Sequence, residues 1–288
     1  MSIKIYIDGI VHDPDTALVP VFDRGFLYGD SVYEVMRTAG GRPVDLGPHL
    51  ERLRRSGELL ELPVPTDELL ERAIATTLTA AGNLESYLRV VITRGAGEIG
   101  LDIALADTPR TIVIVRPLVL PAAESYQHGV VLWIGSVQRT SPRAVDPRVK
   151  SGNYLNNIMA LREARRAGAD EALMCDAAGR IAEGATSNIF CVRSGALLTP
   201  ALEIGLLAGI TRQRVIALAR ADGLEVVEGE LVPDVARAAD EAFITSSIRG
   251  VMPVRRIDDA VLGTSAPGPV TRRIMELYGG HLAGPGRA

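Results

Sequence analysis

Lys150 lies in Val149-Lys150-Ser151-Gly152-Asn153-Tyr154-Leu155-Asn156-Asn157, just ahead of a helical stretch, and Glu183-Gly184 follows later at the end of a strand-like run. This pair constrains the fold more than any other feature of the chain. A lysine at a helix start and an acid at a strand end can attach and tune one aldehyde cofactor. The lysine supplies a Schiff-base amine, and the carboxylate can hold a pyridine nitrogen protonated. Alone, the lysine has the plain alternative of a surface charge and the glutamate that of an acidic turn residue.

With 288 residues, 47% of them hydrophobic and 23% charged, the chain can bury one large core or two medium ones. A net charge of −4 with scattered Lys and Arg argues against a general nucleic-acid binder. The N-terminal residues Met1-Ser2-Ile3-Lys4-Ile5-Tyr6 enter a strand pattern at once, without an apolar signal core, and no long apolar run follows. The expectation is a cytoplasmic protein with no membrane partner. Cys175 and Cys191 sit in apolar strand-like runs and are expected as small core hydrophobes. His12, His49, His128 and His281 lack ligand spacing, so no metal site is expected.

Ile3 to Ile10 alternates and turns at Asp8-Gly9, a hairpin signal. Leu46, Leu50, Leu53 and Leu60 mark a helical stripe closed by Pro63 and Pro65. Thr66 to Ala81 predicts a second helix, with Thr66 and Asp67 as capping candidates and Gly82 as its stop. Tyr87 to Thr93 and Thr111 to Val119 are β-rich, and Gly95 to Pro109 between them is a long loop of the kind that carries function. Pro117 to Gly129 has little periodicity and predicts a linker. Val130 to Ile134 predicts a strand, Leu155 to Gly168 and Thr211 to Ala221 predict helices, and Phe243 to Ser247 a buried strand entering a polar turn. The Gly- and Pro-containing tail from Gly279 is expected to fray.

Further segments carry a family resemblance. They are Phe22-Asp23-Arg24-Gly25-Phe26-Leu27-Tyr28-Gly29-Asp30, His49-Leu50-Glu51-Arg52-Leu53, and Tyr87-Leu88-Arg89 leading into Thr93-Arg94-Gly95. After Lys150 come Ala182-Glu183-Gly184, Asn188-Ile189-Phe190, Gly209-Ile210-Thr211-Arg212 and Phe243-Ile244-Thr245-Ser246-Ser247. In this one colinear order, from about Ile5 to about Asp259, the chain resembles the class IV pyridoxal-phosphate aminotransferases. That group holds branched-chain and D-amino-acid aminotransferases and aminodeoxychorismate lyase. The resemblance implies an α+β, two-domain, D-amino-acid aminotransferase-like fold (fold type IV). It consists of a small N-terminal α/β domain over 1–119, a linker over 120–129, and a larger, barrel-like pyridoxal-phosphate-binding α/β domain over 130–288.

The resemblance also implies roles. Lys150 matches the Schiff-base lysine, which once freed can move a proton between substrate Cα and cofactor. Glu183 matches the acid on the pyridine nitrogen, a charged hydrogen bond worth roughly 1.5–3 kcal/mol. Gly209, Ile210 and Thr211 open a helix whose free N–H groups can hold phosphate, though a plain helix cap is the commoner meaning of such a Thr. Arg52 lies off the leucine stripe and matches the phosphate cation. Ser246 and Ser247 match the hydroxyl turn of the cradle, Ser247 the stronger of the two, and Tyr154 matches an aromatic hydroxyl near the ring oxygen. Tyr28, Tyr33, Tyr87 and Arg89 match the substrate pocket, and in branched-chain enzymes the carboxylate meets a Tyr hydroxyl and turn amides such as those around Ser247 and Ile248. Packing is the alternative for tyrosines in strands.

Tyr87-Leu88-Arg89 with the Thr93-to-Asp102 run looks most like the L-branched-chain enzymes, which transfer an amino group between a branched-chain amino acid and 2-oxoglutarate. Tyr33-Glu34-Val35 looks more like the D-amino-acid enzymes, yet the loop lacks their Arg-x-His pair. Arg37 remains available for a second carboxylate. A D-amino-acid or R-amine transaminase, an aminodeoxychorismate-type lyase and a non-catalytic binding protein on this scaffold stay open. The expected partners are amino acid and 2-oxo acid substrates and a second copy of the chain. That copy is expected to contribute its Tyr28 region or Gly95–Pro109 loop, because a loop this long is hard to order alone.

Overall fold

The computed structural model describes residues 2–284. The chain divides into two compact units. One is the chain up to Val119 together with Val149–Asn153, and the other is Leu120–Arg148 together with the chain from Tyr154 on.

The first unit is an antiparallel sheet with helices on one face. Its strands are β1 (Lys4–Ile7), β2 (Ile10–His12), β3 (Ser31–Ala39), β4 (Arg42–Pro43), β5 (Ser86–Thr93) and β6 (Arg110–Pro117), and they run in the order β2-β1-β6-β5-β3-β4. The β1–β2 hairpin turns where expected, at Asp8 (φ +46) and Gly9 (φ +105). Short α1 (Arg24–Tyr28) precedes β3, and α2 (Leu46–Leu59) and α3 (Asp67–Ala81) cover the sheet. Their apolar stripes bury Leu50, Leu53, Leu70 and Ile74 against Val32 and Met36 of β3 and Leu88, Val90 and Ile92 of β5. Truncating any of these leucines to Ala costs about 2–5 kcal/mol. Thr66 occupies the N-cap of α3 and its carbonyl accepts from Leu69 N and Leu70 N at 3.1 Å, but its side chain accepts no cap bond, and Asp67 pairs with Arg54. Gly82 (φ +61) stops the helix in left-handed backbone.

Strand β3 has no clean alternation to announce it, because nearly all of Ser31–Thr38 is buried. A carboxylate, Glu34, sits wholly inside this layer. Arg52 of α2 grips it with Nε at 2.6 Å and Nη2 at 2.7 Å, and His49 Nδ1 lies 2.6 Å from its Oε2. Burial pushes the carboxyl of Glu34 up, but the charge and hydrogen bonds of Arg52, aided by His49, outweigh this and hold it at about 2.

The second unit is built on a mixed sheet of β7 (Val130–Ile134), β8 (Glu171–Cys175), β9 (Ile181–Gly184), β10 (Asn188–Arg193), β11 (Ala196–Pro200), β12 (Val226–Gly229), β13 (Glu241–Ser246) and β14 (Gly250–Ile257). Their order is β12-β11-β10-β13-β14-β7-β8-β9, and β15 (Ala260–Val261) pairs with β14. Strands β7 and β8 pair in parallel, as do β7 with β14 and β11 with β12. Five helices pack on it: α4 (Ala123–His128), α5 (Leu155–Arg166), α6 (Ile210–Ala221), α7 (Pro233–Arg237) and α8 (Pro269–Ala283). The central strands read as continuous apolar runs because both faces are covered. Phe190 and Phe243 stack at 4.9 Å beneath α6 and α8, while Ile189, Cys191, Ile244 and Met252 fill the other side. Cys191 is core, and its burial pushes its thiol up to about 12; Cys175 is half-buried.

Three expectations change here. The stretch taken as a linker carries α4, which joins the second unit through Tyr126 Oη donating to Arg249 O at 2.9 Å. Val149–Asn153 clusters with the first unit, although its neighbours on both sides belong to the second. Gly279 and Gly280 lie inside α8 rather than in a frayed tail, because Ile274 and Tyr278 anchor that helix in the core; the tail beyond Gly284 is outside the described residues.

The buried carboxylate generates a test of this packing. Glu34→Gln leaves Arg52 without its counter-charge and should cost about 3–5 kcal/mol at neutral pH. Because the folded carboxyl titrates at about 2, below its ordinary 4.5, its stabilisation is complete above 4.5 and disappears as pH falls toward 2. Urea midpoints of wild type and variant should therefore converge between those values; a gap constant with pH would contradict the assignment.

Candidate active site

In the first unit, Lys150 is delivered by a short extended segment that pairs with β3. Tyr33 N donates to Lys150 O at 2.9 Å, Gly152 N to Ser31 O at 3.0 Å, and Ser151 bridges Val32. Lys150 N in turn donates to the hydroxyl of Ser56, buried on α2, at 3.1 Å. Both main-chain polar groups of the lysine are thus committed, so its backbone is fixed and the side chain is aimed. Its Nζ donates to Tyr33 Oη at 3.4 Å and stands 4.4 Å from the centre of the Tyr33 ring. The Arg89 guanidinium lies 4.2 Å from the same ring, on β5, and has no carboxylate partner among the described residues. Tyr33 therefore collects two cations, which favours its ring as a shared π face and leaves a cationic environment beside the amine.

Strand register explains why these residues meet. Residues 33, 35 and 37 of β3 point away from α2 and α3, and β5 places Val91, Arg89 and Tyr87 opposite them. Arg37 and Tyr87 thus share one row, Arg116 of β6 stacks on Tyr87 at 4.4 Å, and Arg37 Nε donates to Thr38 O at 3.3 Å. Tyr28 closes α1, and its hydroxyl accepts from Gly100 N at 3.1 Å. Arg24 donates to Gly100 O at 2.7 Å and Leu101 O at 3.4 Å, while Gly97 N reaches Phe22 O at 3.4 Å. These bonds tie Gly97, Gly100 and Leu101 of the 95–109 loop to the α1 region of its own unit. Arg52, expected as a phosphate cation, spends its fork on Glu34.

In the second unit, Glu183 ends β9 nearly buried. Arg139 Nε donates to Oε1 at 2.7 Å, and Leu207 N and Asn188 Nδ2 reach Oε2 at 3.2 and 3.5 Å. Asn188 also donates to Leu207 O at 3.1 Å, tying the acid to the segment that leads into α6. Gly209 is the N-cap of α6 and supplies no side chain to it; a Cβ there would collide with Asn188 Oδ1. The first N–H groups of α6, at Ile210 and Thr211, thus start a helix with no side-chain cap, the arrangement that suits an external anion. Asn188 pairs with Thr245 of β13, so the Ser246-Ser247-Ile248 turn leaves the sheet beside it. Tyr154 stands at the N-cap of α5, half-buried.

The structure therefore gathers Lys150, Tyr33 and Arg89 in one unit and Glu183, Gly209, Ile210 and Thr211 in the other. Tyr87 and Arg37 lie one row from Arg89's row, and Tyr28 lies with the loop. Sequence reasoning missed Glu34, Ser56 and Arg139 as supports. Arg139 carries no local signal, since it reaches an acid far along the chain. Glu34 left one, a lone carboxylate inside an apolar strand pattern.

Comparison with known proteins agrees with this geometry. The family model for amino-transferase class IV matches residues 31–257. A Methanocaldococcus jannaschii protein with a provisional branched-chain-amino-acid aminotransferase name is 37% identical over 277 residues, 96% of this chain and 95% of its own. The aminodeoxychorismate lyase of Bacillus subtilis is 31% identical, covering 95% and 93%. The crystal structure of the branched-chain aminotransferase from Thermoproteus uzoniensis with norvaline superposes with a TM-score of 0.90 at 35% identity, over 96% of this chain and 94% of that one. A two-domain α+β fold of that type, a family match spanning both units, and a lysine and an acid each held by several hydrogen bonds lead to one conclusion: this chain belongs to the class IV aminotransferases.

Proposed function

We propose that the protein is a pyridoxal-phosphate-dependent transaminase that moves an amino group between an L-branched-chain amino acid and 2-oxoglutarate. The observation that carries the reading is Lys150, clamped through its main chain by Tyr33 and Ser56 with its amine set against a tyrosine whose ring also holds the Arg89 guanidinium. When bound, pyridoxal phosphate supplies an electron-accepting ring and the aldehyde carbon that carries the amino group. The donor set fits that group: a lysine amine, an acid already supported by Arg139, Asn188 and Leu207, an uncapped helix start, and hydroxyls at Ser246 and Ser247.

Lys150 Nζ would hold the cofactor's aldehyde carbon as an imine, with the carbonyl oxygen leaving as water, and once freed by the substrate amine it would be the base placed to move the substrate Cα proton. Glu183 would keep a proton on the pyridine nitrogen, and its bonds to Arg139 and Leu207 fix the carboxylate for that role. Ile210 and Thr211, with Ser246 and Ser247, would hold the phosphate, while Arg52, the cation expected there from the resemblance, has its charge matched by Glu34. Tyr154 would supply a hydroxyl toward the ring oxygen. Tyr28, Tyr33, Tyr87 and the Ser247–Ile248 amides bind the substrate carboxylate and side chain, and Arg89 with Arg37 takes the second carboxylate of a dicarboxylic partner.

The branched-chain preference draws on the names of relatives that match nearly the whole chain, together with a 95–109 loop that bears apolar Ile99, Leu101 and Ile103 and no histidine. We further propose a homodimer in the cytoplasm. Val21, Phe22, Phe26, Ile99 and Leu101 of the first unit are exposed apolar side chains of the kind a second copy would cover. No helix among the described residues is long and apolar enough to cross a membrane, and the cysteines are unpaired.

Lys150→Ala should abolish turnover and the visible cofactor band, and borohydride should no longer fix cofactor mass on this peptide; Glu183→Gln should keep the cofactor and slow the half-reaction. Substantial turnover in the lysine variant would remove it from the mechanism. Half-reaction spectra with L-Leu, D-Ala, L-Glu and (R)-1-phenylethylamine should rank L-Leu first, and Arg89→Ala should impair L-Glu about tenfold more than L-Leu. Faster reaction of D-Ala would transfer the assignment to D-amino acids, and pyruvate release from an aminodeoxychorismate-type substrate to a lyase. Leu101→Glu should shift sedimentation toward monomer; an unchanged dimer would place the interface elsewhere.

A further inference from the structure

The turn after β13 is braced by a network that the reading above does not use. Ser246 pairs with Gly250, leaving Ser247, Ile248 and Arg249 to make the turn. Gly250 adopts φ +66, and a Cβ there would press on the Tyr278 ring, so the turn closes only with glycine. Arg249 then folds back. Its backbone N and its Nε both donate to Ser246 Oγ, at 3.3 and 3.2 Å. Its Nη2 donates to Glu171 Oε2 at 2.9 Å and to Thr186 Oγ1 and O at 2.7 and 3.3 Å.

Glu171, at the start of β8, is only 1% exposed. Besides Arg249, its carboxylate accepts from Thr186 Oγ1 at 2.5 Å, Ser187 Oγ at 3.4 Å and Ala172 N at 3.2 Å. A buried carboxylate needs such compensation. The same acid thereby ties the Arg249 turn to the 185–187 turn that follows Glu183-Gly184.

This bonding dictates what the turn can offer. A hydroxyl has one proton and two lone pairs. With two N–H groups donating to it, Ser246 Oγ keeps its proton as its remaining group and can act toward a ligand as a donor. Ser247, next to it, is half-exposed, and its hydroxyl has no partner among the described residues. A pair of donor hydroxyls suits an acceptor-only group, which is an anion.

We propose that Arg249, braced by buried Glu171, is a positioning residue that sets this turn as a donor to one anionic group, the cofactor phosphate or the substrate carboxylate. The inference rests on the transaminase reading. Its test separates the two sources by titrating apoprotein with pyridoxal phosphate and with pyridoxal, which lacks the phosphate, and by measuring KM and kcat for L-Leu. Wild type, Arg249→Met, Arg249→Lys and Ser246→Ala are compared, with thermal midpoints as the folding control.

If the anion is phosphate, Arg249→Met weakens pyridoxal phosphate by about ten- to a hundredfold and leaves pyridoxal unchanged. If it is the carboxylate, cofactor affinity holds and KM rises by that factor with kcat little altered. Arg249→Lys keeps the charge but not the fork, so it should behave like Met. Adding Ser246→Ala to Arg249→Met should cost little more, because the effect runs through that hydroxyl. Recovery by lysine, additive losses, or a lowered thermal midpoint with both ligand constants intact would overturn the positioning role. Wild-type apoprotein that does not prefer pyridoxal phosphate to pyridoxal would defeat the transaminase reading itself, and this inference with it.

Discussion

A carboxylate with no access to water lies in the middle of β3, and the first unit is arranged around the need to compensate it. Glu34 is fully buried, and Arg52 and His49 on successive turns of α2 supply its partners at 2.6–2.7 Å. Without them the burial would cost several kcal/mol or drive the group to take a proton. The ion pair sets the position of α2 along the strand, since a shift of one residue would break a two-point grip. Ser56, one turn further along the same helix, then meets Lys150 N. The lysine is therefore positioned by a chain of contacts that begins at a buried charge.

The second hold on Lys150 is made of backbone. Val149–Asn153 runs beside β3 with a single bridge between Ser151 and Val32, and the carbonyl of Lys150 is taken by Tyr33 N. Tyr33 serves this arrangement twice, through its amide and through its ring. A residue in that double position has a natural link to specificity, because any change in its side chain is felt by the amine and by Arg89 together.

Glu183 shows the same principle in the second unit with neutral groups added. One cation, one main-chain amide and one side-chain amide share its two oxygens, and Asn188 links the acid to the start of α6. Glycine at 209 is required there by the close approach of Asn188. Aligned N–H groups and a glycine without a cap leave that helix end suited to an outside acceptor.

Local pattern was enough for much of this protein. The leucine stripe, the Asp8-Gly9 turn and Gly82 placed α2, the first hairpin and the end of α3, because each depends on neighbours a few residues away. Lys150, Glu183 and the Gly209-Ile210-Thr211 helix start could be singled out as candidates for the same reason, since residue type and an adjacent element define them. Strand β3 was not legible, because burial on both faces erased the alternation that marks a half-exposed strand. Nor were the helix over Ala123–His128, the bonds that tie Gly100 and Leu101 to α1, or the supports of the site. Arg139 finds Glu183 across 44 positions, Arg249 finds Glu171 across 78, and Ser56 finds Lys150 across 94. Such pairings exist only once sheets and helices have brought distant segments within hydrogen-bond reach, so no window along the chain contains them. Sequence by itself determined which groups could do the chemistry; the tertiary structure decided what holds each of them still.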